Sequence, residues 1–323
     1  MAKNSSLNKA GIAKQDEFYT QIADIEREMR HYTEHFKDKT IFCNCDDPIT
    51  SNFWLYFELN FEKLGLKKLI ATHYETDKPS YKLELMYDID RDGKVNKRDI
   101  VKTTLKQNGD FRSQECIEIM KEADIVITNP PFSLFREYIA QLMQYDKKFI
   151  VIGSMNAITY KEIFPLIRDN KIWLGYGFKG GNAYFSVSKQ DTSNYANGVY
   201  NQETGLVKFR NCNWFTNLDI AKRHESIMLY RRYEEGLYRK YDNYDAINID
   251  KLVEIPIDYY GIMGVPITYI AEYSPEQFEI IGMIAGNIKG LAGITSKIGK
   301  DGPYIDGKLK YGRILIKRKD IQQ

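Results

Sequence analysis

Apolar positions along the chain gather into short dense runs separated by polar, glycine- and proline-bearing stretches. Four runs are nearly continuous in apolar, largely β-branched residues: TIFC at 40–43, KKLIATHY at 67–74, DIVIT at 124–128 and KFIVIG at 148–153. Continuous runs of that length are expected of strands buried on both faces of a parallel sheet. Helical spacing is predicted over 16–35 (through Phe18, Ile22, Ile25 and Met29), 53–64, 113–122 and 134–143. Strand and helix alternating in this way predict a doubly wound α/β domain. Residues 81–87 alternate as a hairpin strand, 172–177 and 183–187 predict the antiparallel hairpin that closes the sheet, and 212–217 predict its end. Beyond them 233–260 are rich in tyrosine and lack a helical period, and 267–270 predict a strand. Ser274, Pro275 and Gln277 make a capping box with proline at the first helical position, so a helix is predicted over 275–283. A closing strand is predicted over 309–317.

With 323 residues and 43% apolar content, the chain can bury a full α/β domain and carry a smaller appended region. Residues 1–14 are polar, with no apolar stretch before a small-residue cleavage site, and no apolar run is long enough to span a bilayer. A soluble, cytoplasmic protein is the expectation. Cys43, Cys45, Cys116 and Cys212 are too few and too unevenly spaced for a disulfide framework or a four-ligand zinc site, so they read as reduced thiols. The segment DIDRDG at 88–93 superficially looks like a calcium loop. Calcium is rejected there because Asp99 is read as falling one place late and flanking helices are missing. The net charge of +2 says little, but residues 289–319 hold nine Lys or Arg against Asp301 and Asp306, a local excess that phosphates attract.

Candidate chemistry concentrates at 123–135, ADIVITNPPFSLF. Pro130 and Pro131 have no N–H to give a ladder, so the backbone must leave the sheet after Asn129. Ligands of open α/β sheets bind at that carboxyl edge. One reading is plain punctuation, a turn between a strand and a helix starting at Ser133. The other is chemistry on an exocyclic amine, whose nitrogen lone pair is delocalised into its ring and needs acceptors rather than a strong base. The Asn129 side-chain oxygen and the Pro130 carbonyl can both accept from one amino group, drawing its nitrogen toward tetrahedral geometry. Phe132 can stack on the ring that carries the amine.

The tetrapeptide NPPF at 129–132 resembles the catalytic motif of amino-methyltransferases that use S-adenosylmethionine, in the Asn-first form of adenine-N6 enzymes. Longer stretches, DEFYTQ at 16–21, CNCDDP at 43–48, GDFR at 109–112 and NWFTN at 213–217, are similar to the EcoRI-type adenine-specific DNA methyltransferases, and the resemblance runs from about residue 16 to the carboxyl terminus. It implies a Rossmann-like, S-adenosylmethionine-dependent methyltransferase sheet with an appended C-terminal target-recognition region. The expected division is a flexible arm over 1–14, a catalytic domain over 15–220 and a recognition region over 221–323. The expected reaction is methyl transfer to adenine N6 in double-stranded DNA, by a monomer with S-adenosylmethionine as sole cofactor and no metal, in a restriction-modification or orphan modification system. The absence of a Pro-Cys pair argues against cytosine-C5 chemistry, which needs a nucleophilic thiol. An RNA adenine methyltransferase, a protein-glutamine methyltransferase and an inactive DNA-binding module remain as alternatives.

The resemblance also implies roles for residues. Phe18, Tyr19 and Thr20 would close over the methionine part of the cofactor. Asp46, Asp47 and Pro48 would hold it in the loop after the first strand, where most methyltransferases carry a Gly-x-Gly turn; which aspartate faces the cofactor stays open, and a helix cap by Asp47 or Ser51 is the alternative. Glu75 is the nearest candidate for the ribose hydroxyls, against a solvated loop carboxylate. Asp110 would accept from the cofactor's adenine amine and Phe111 would cover its ring, against a cap for the helix that follows. Tyr184 and Phe185 fall where related enzymes supply a second aromatic to the extruded base, against ordinary core aromatics of a strand. Lys297, Lys300, Lys308 and Lys310 would hold the DNA backbone, against a solvated surface.

Overall fold

A computed structural model of the chain describes residues 18–45, 47–76, 78–187, 198–285 and 302–319. They fall into two units, Met1–Ser154 with Gly175–Leu218, and Met155–Leu174 with Asp219–Gln323. Among the described residues no helix is long and apolar enough to cross a membrane.

The first unit opens with a three-residue strand, β1 (Phe18–Thr20), followed by helix α1 (Ile22–Met29). This corrects the helix predicted from residue 16. Phe18 and Ile22 share the helical i, i+4 spacing, but Phe18, Tyr19 and Thr20 pair antiparallel with Val187, Ser186 and Phe185, and only tertiary pairing reveals that. Seven further strands of this unit belong to the large sheet: β2 (Thr40–Cys43), β3 (Lys68–Thr72), β4 (Tyr81–Leu85), β5 (Val101–Thr104), β6 (Ile125–Thr128), β7 (Lys148–Ser154) and, after the three strands described next, β11 (Cys212–Thr216). They lie in the order β5, β4, β3, β2, β6, β7, β11. The central four are parallel; β4 and β11 pair antiparallel with β3 and β7, and β5 pairs antiparallel with β4. All positions of β2 and β6 are buried, as their unbroken apolar character predicts.

The chain turns from β2 toward β3 but from β6 toward β7, so the strand order reverses between the adjacent β2 and β6. The loops leaving these two strands therefore border one crevice at the carboxyl edge, the place where doubly wound sheets bind ligands. Helix α2 (Asn52–Leu59) follows the β2 loop, α3 (Gln114–Glu122) precedes β6, and α4 (Phe135–Gln144) follows the β6 loop. Gly153 lets α4 settle close: a Cβ there would lie 2.4 Å from the Phe135 ring.

Strands β8 (Asn182–Val187), β9 (Tyr200–Asn201) and β10 (Leu206–Arg210) join β1 in a separate antiparallel sheet ordered β1, β8, β10, β9. Residues 183–187 thus do not close the large sheet as predicted. The strand on β7 is β11 instead, and Asn217 just beyond it clamps the edge, accepting from the Phe149 N–H at 2.9 Å and donating to the Lys147 carbonyl at 2.9 Å.

The second unit centres on β12 (Ile247–Asn248), β13 (Ile262–Pro266), β14 (Phe278–Ile284) and β17 (Arg313–Arg318), ordered β12, β13, β17, β14, with a small hairpin of β15 (Tyr304–Ile305) and β16 (Lys308–Leu309). Tyr241, Tyr244, Ala246, Ile284, Ile305 and Leu315 form a core cluster. Two predictions are corrected here. The strand expected at 267–270 lies earlier, at β13, and Ile267–Glu272 is 3-10 helix. The helix expected over 275–283 is β14: the capping box closes a single turn, with the Gln277 and Phe278 N–H groups both on the Ser274 carbonyl. Pairing of residues 278–284 with β17 then overrides the local cap. At 172–177 only Trp173–Leu174 is strand.

Candidate active site at the carboxyl edge

The loop after β6 is held from both sides. Thr128, the last residue of β6, donates its hydroxyl to the Asn44 carbonyl in the loop after β2. Pro131 adopts an extended conformation (φ −53°, ψ 126°), and one 3-10 turn, Phe132–Leu134, leads into α4. Asn129 sits between these anchors, only 7% exposed. Its Nδ2 donates to the Phe18 carbonyl of β1 at 2.7 Å. Its Oδ1 is buried and has no partner among the described residues.

That asymmetry fixes the amide. Turning it over would set two oxygens face to face, so the Phe18 carbonyl selects the rotamer that leaves Oδ1 free. A buried acceptor without a donor costs about 1–3 kcal/mol, and such orphans in native structures call for an explanation. An acceptor pre-aimed at a donor that arrives with a ligand supplies one.

Phe132 is partly buried. Phe18 stacks on it with ring centroids 6.4 Å apart, and Phe209 and Phe185 meet it edge-on at 5.9 and 6.4 Å. The aromatic cluster supports the Phe132 ring and leaves it part of its surface for stacking. Phe185 is fully buried inside this cluster, whereas its neighbour Tyr184, 39% exposed, points to the opposite face of the sheet with the Lys208 amine 5.8 Å from its ring centre. The two aromatics paired in the sequence reading therefore part company, as alternation along a strand requires.

In the loop after β2, Asp47 Oδ1 accepts from the Ile49 N–H at 3.0 Å and from the Tyr81 hydroxyl at 2.8 Å. Burial, and then Asp47, push the Tyr81 phenol well above its ordinary pKa. Ser51 is the cap of α2, its hydroxyl accepting from the Phe53 N–H at 3.2 Å. Pro48 is buried; Asp46 lies outside the described residues. Tyr138 of α4, which no local pattern marks, ties this loop to the GDFR segment. Its buried hydroxyl donates to Asn44 Oδ1 while its ring meets Phe111 edge-on at 5.0 Å.

Gly109 has φ +80°, and a Cβ there would stand 1.8 Å from the His73 carbonyl oxygen just past β3. This close approach sets Asp110 and Phe111 beside the crevice. The Asp110 carboxylate accepts from the Arg112 N–H at 2.8 Å and from its guanidinium at 2.9 and 2.6 Å. Those hydrogen bonds hold the Asp110 carboxyl below the usual carboxylate range. Ser113, accepting from the Cys116 N–H at 3.3 Å, caps α3, so the capping alternative for Asp110 falls away. Phe111 is buried, and its carbonyl accepts from Gln141 at 2.9 Å. Gly109→Ala is expected to weaken this segment strongly, because positive φ alone costs an L-residue about 1–2 kcal/mol and the carbonyl cannot yield. A thermal melt and a cofactor titration check it; wild-type values in both would show that the turn is dispensable.

Glu75 is half-exposed, 3.6 Å from the Lys78 amine. The spacing read for the calcium-like loop needs correction, since Asp99 is the twelfth residue counted from Asp88 and its carboxylate comes within 4.8 Å of those of Asp88 and Asp90. Asp99 there accepts from the Ile89, Asp90 and Asn96 N–H groups, and Arg98 spans Asp90 and Asp92 at 3.2 and 2.9 Å. In the second unit Lys308 and Lys310 are exposed on the β15–β16 hairpin beside Tyr311, which is 89% exposed; Lys297 and Lys300 lie outside the described residues.

Residues 6–319 match the family model described as adenine-specific methyltransferase EcoRI. The chain is 46% identical to the type II methyltransferase M.EcoRI of Escherichia coli, over 100% of this chain and 99% of that protein. It is 39% identical to M.MgeORF184P of Mycoplasma genitalium, over 98% and 99%, and 37% identical to M.MpnI of Mycoplasma pneumoniae, over 97% and 98%; both are described as type II methyltransferases.

Proposed function

The chain belongs to the EcoRI-type family of adenine-specific methyltransferases, and on that premise we propose that its carboxyl-edge crevice transfers a methyl group from S-adenosylmethionine to N6 of an adenine extruded from duplex DNA. The observation that carries the reading is the buried Oδ1 of Asn129, which has no partner among the described residues, three residues before the half-buried Phe132. The full-length likeness to three type II methyltransferases supports DNA as the substrate and a modification system as its setting.

In this reading Asn129 Oδ1 and the Pro130 carbonyl accept the two N–H bonds of the adenine amine. Held by two acceptors, the amine nitrogen moves toward tetrahedral geometry and its lone pair leaves the ring system. Phe132 stacks on the base and keeps water from that face. The sulfonium supplies the electrophilic methyl group. Positioning accounts for most of the acceleration, since an in-line displacement needs its two reacting atoms aligned and close. The extra proton on the product amine passes to solvent.

The residues present fit such a cofactor. Thr20 Oγ1 is buried without a partner among the described residues, on the strand that would cover the methionine part. Phe18 and Tyr19 would act with it, Asp46, Asp47 and Pro48 would line the loop after β2, and Asp110 and Phe111 would take the adenine. Asp110 keeps acceptor capacity, because a carboxylate offers about four lone-pair sites and Arg112 fills three. We read the first unit as the Rossmann-like catalytic domain and the second as the target-recognition region, with Lys308 and Lys310 on phosphates and Tyr184 available to nucleic acid.

Asp110→Ala should weaken cofactor binding by about 1–3 kcal/mol, the usual cost of one hydrogen bond to a buried ligand group. With its pKa depressed, Asp110 stays ionised from neutral pH down through the ordinary carboxylate range. Its contribution should therefore be flat there and vanish only in stronger acid, which titrations of both proteins against pH would show. Methylation-sensitive sequencing of DNA from cells expressing the protein tests the function as a whole. Unmodified adenines in that DNA, together with preferential methylation of structured RNA in a competition assay, would replace DNA as the substrate.

A further inference from the structure

Among the described residues strand β1 has a neighbour on one side only, β8, on which Tyr19 pairs with Ser186. The carbonyls of Phe18 and Thr20, two residues apart, point to the other side, as alternation along a strand dictates. Each receives a carboxamide. Asn129 Nδ2 donates to the Phe18 carbonyl at 2.7 Å, and Asn52 Nδ2 donates to the Thr20 carbonyl at 2.7 Å. Asn52 is the first residue of α2 and directly follows the loop after β2. One free strand edge is thus read by two asparagines, one from the loop of β2 and one from the loop of β6.

We infer that Asn52 is a positioning residue for methyl transfer: it fixes the height of β1, and β1 in turn fixes the amide of Asn129. The inference rests on the role given to Asn129 above. Among the described residues β1 has three residues of pairing, so its placement depends on the packing of Phe18 in the aromatic cluster and on side-chain ties. Gln21 supplies one, donating to Ser186 Oγ at 2.8 Å, and Asn52 supplies the tie on the catalytic side. Without the Asn52 donor, the Phe18 carbonyl can drift along the edge and no longer selects the rotamer of Asn129. Oδ1 then loses its aim at the amine. Through β1 the start of α2 is thus linked to the catalytic loop.

Asn52→Asp is the sharpest test. It keeps the shape, replaces the donor with a second acceptor that repels the Thr20 carbonyl, and suits the first turn of a helix, where a negative charge is favourable. Asn52→Ala removes the donor without adding charge. Under single-turnover conditions with saturating S-adenosylmethionine and unmethylated duplex DNA, both variants should methylate about 10- to 100-fold more slowly than wild type, the scale of a small misplacement of a reacting group. The dissociation constant for DNA and the melting temperature should stay near wild type, and any loss of S-adenosylmethionine affinity through β1 should be much smaller than the loss of rate, a split that a merely structural residue would not give. A wild-type rate in both variants overturns the inference, and so does a loss of cofactor affinity that matches the loss of rate, which would make Asn52 a cofactor contact. Asn129→Ala run alongside separates the two readings. If it too turns over normally the assignment of Asn129 has failed, whereas an inactive Asn129→Ala with fully active Asn52 variants removes only the coupling.

Discussion

Asn129→Ala should lose methyl transfer by on the order of 10²–10³-fold or more while binding S-adenosylmethionine and duplex DNA about as well as wild type. The magnitude is that of removing one preorganised hydrogen-bonding group from a transition state, about 2.7–4 kcal/mol. The split between rate and affinity follows from where the atom stands. Oδ1 has no partner among the described residues in the folded protein, so its loss breaks nothing that holds the site together. What is lost is a contact formed with the amine and strengthened as that nitrogen becomes tetrahedral, which lowers the rate more than the binding. Stability should barely move. The variant forfeits the Nδ2 hydrogen bond to the Phe18 carbonyl, about 0.5–1.5 kcal/mol net, and sheds a buried orphan acceptor that costs about as much. A melting curve far below wild type would make Asn129 a structural residue, and wild-type turnover would end its catalytic assignment.

The parallel centre of the fold was legible because buried strands carry their signal in every residue: TIFC and DIVIT become fully buried β2 and β6. Abrupt exit at Pro130 and Pro131 was legible for the same kind of reason, a backbone group that proline lacks. What failed were elements whose identity depends on a distant partner. β1 copies helical spacing and is a strand only because Val187, Ser186 and Phe185 lie alongside. β14 follows a good helix cap and is a strand only because β17 pairs with it. The site divides likewise. NPPF could be read locally, but the Phe18 carbonyl that orients Asn129 is 111 residues away, and Tyr138, which joins Asn44 to Phe111, looks in the sequence like any other buried helix position. Arg112 was within reach: a guanidinium two residues after a loop carboxylate is a ready bidentate partner, and Asp110 is held in that way.

The second large effect belongs to DNA binding. Neutralising Lys297, Lys300, Lys308 and Lys310 together should weaken binding to duplex DNA by up to about 10³–10⁴-fold at 0.1 M salt and flatten its salt dependence. Both numbers have one source. Each lysine on a phosphate displaces condensed counterions, contributing about 0.9 to the log–log salt slope, and at 0.1 M salt that is about eightfold in affinity per contact. Four contacts would reduce the slope by about 3.6, and fewer contacts would reduce both quantities in proportion. Lys308 and Lys310 are suited to this, being exposed on and just after β16, with Asp306 already paired to Arg239 at 2.8 Å rather than to either lysine. Cofactor affinity should not change, because the β15–β16 hairpin and the crevice at the carboxyl edge belong to different units. Measuring affinity from 50 to about 200 mM salt makes slope and intercept separable. A quadruple variant with the parental slope would mean that these lysines only face water. Target recognition would then have to be sought in the tyrosine-rich stretch at 233–260, where Tyr260 stands half-exposed under the Arg318 guanidinium, 5.4 Å from its ring centre.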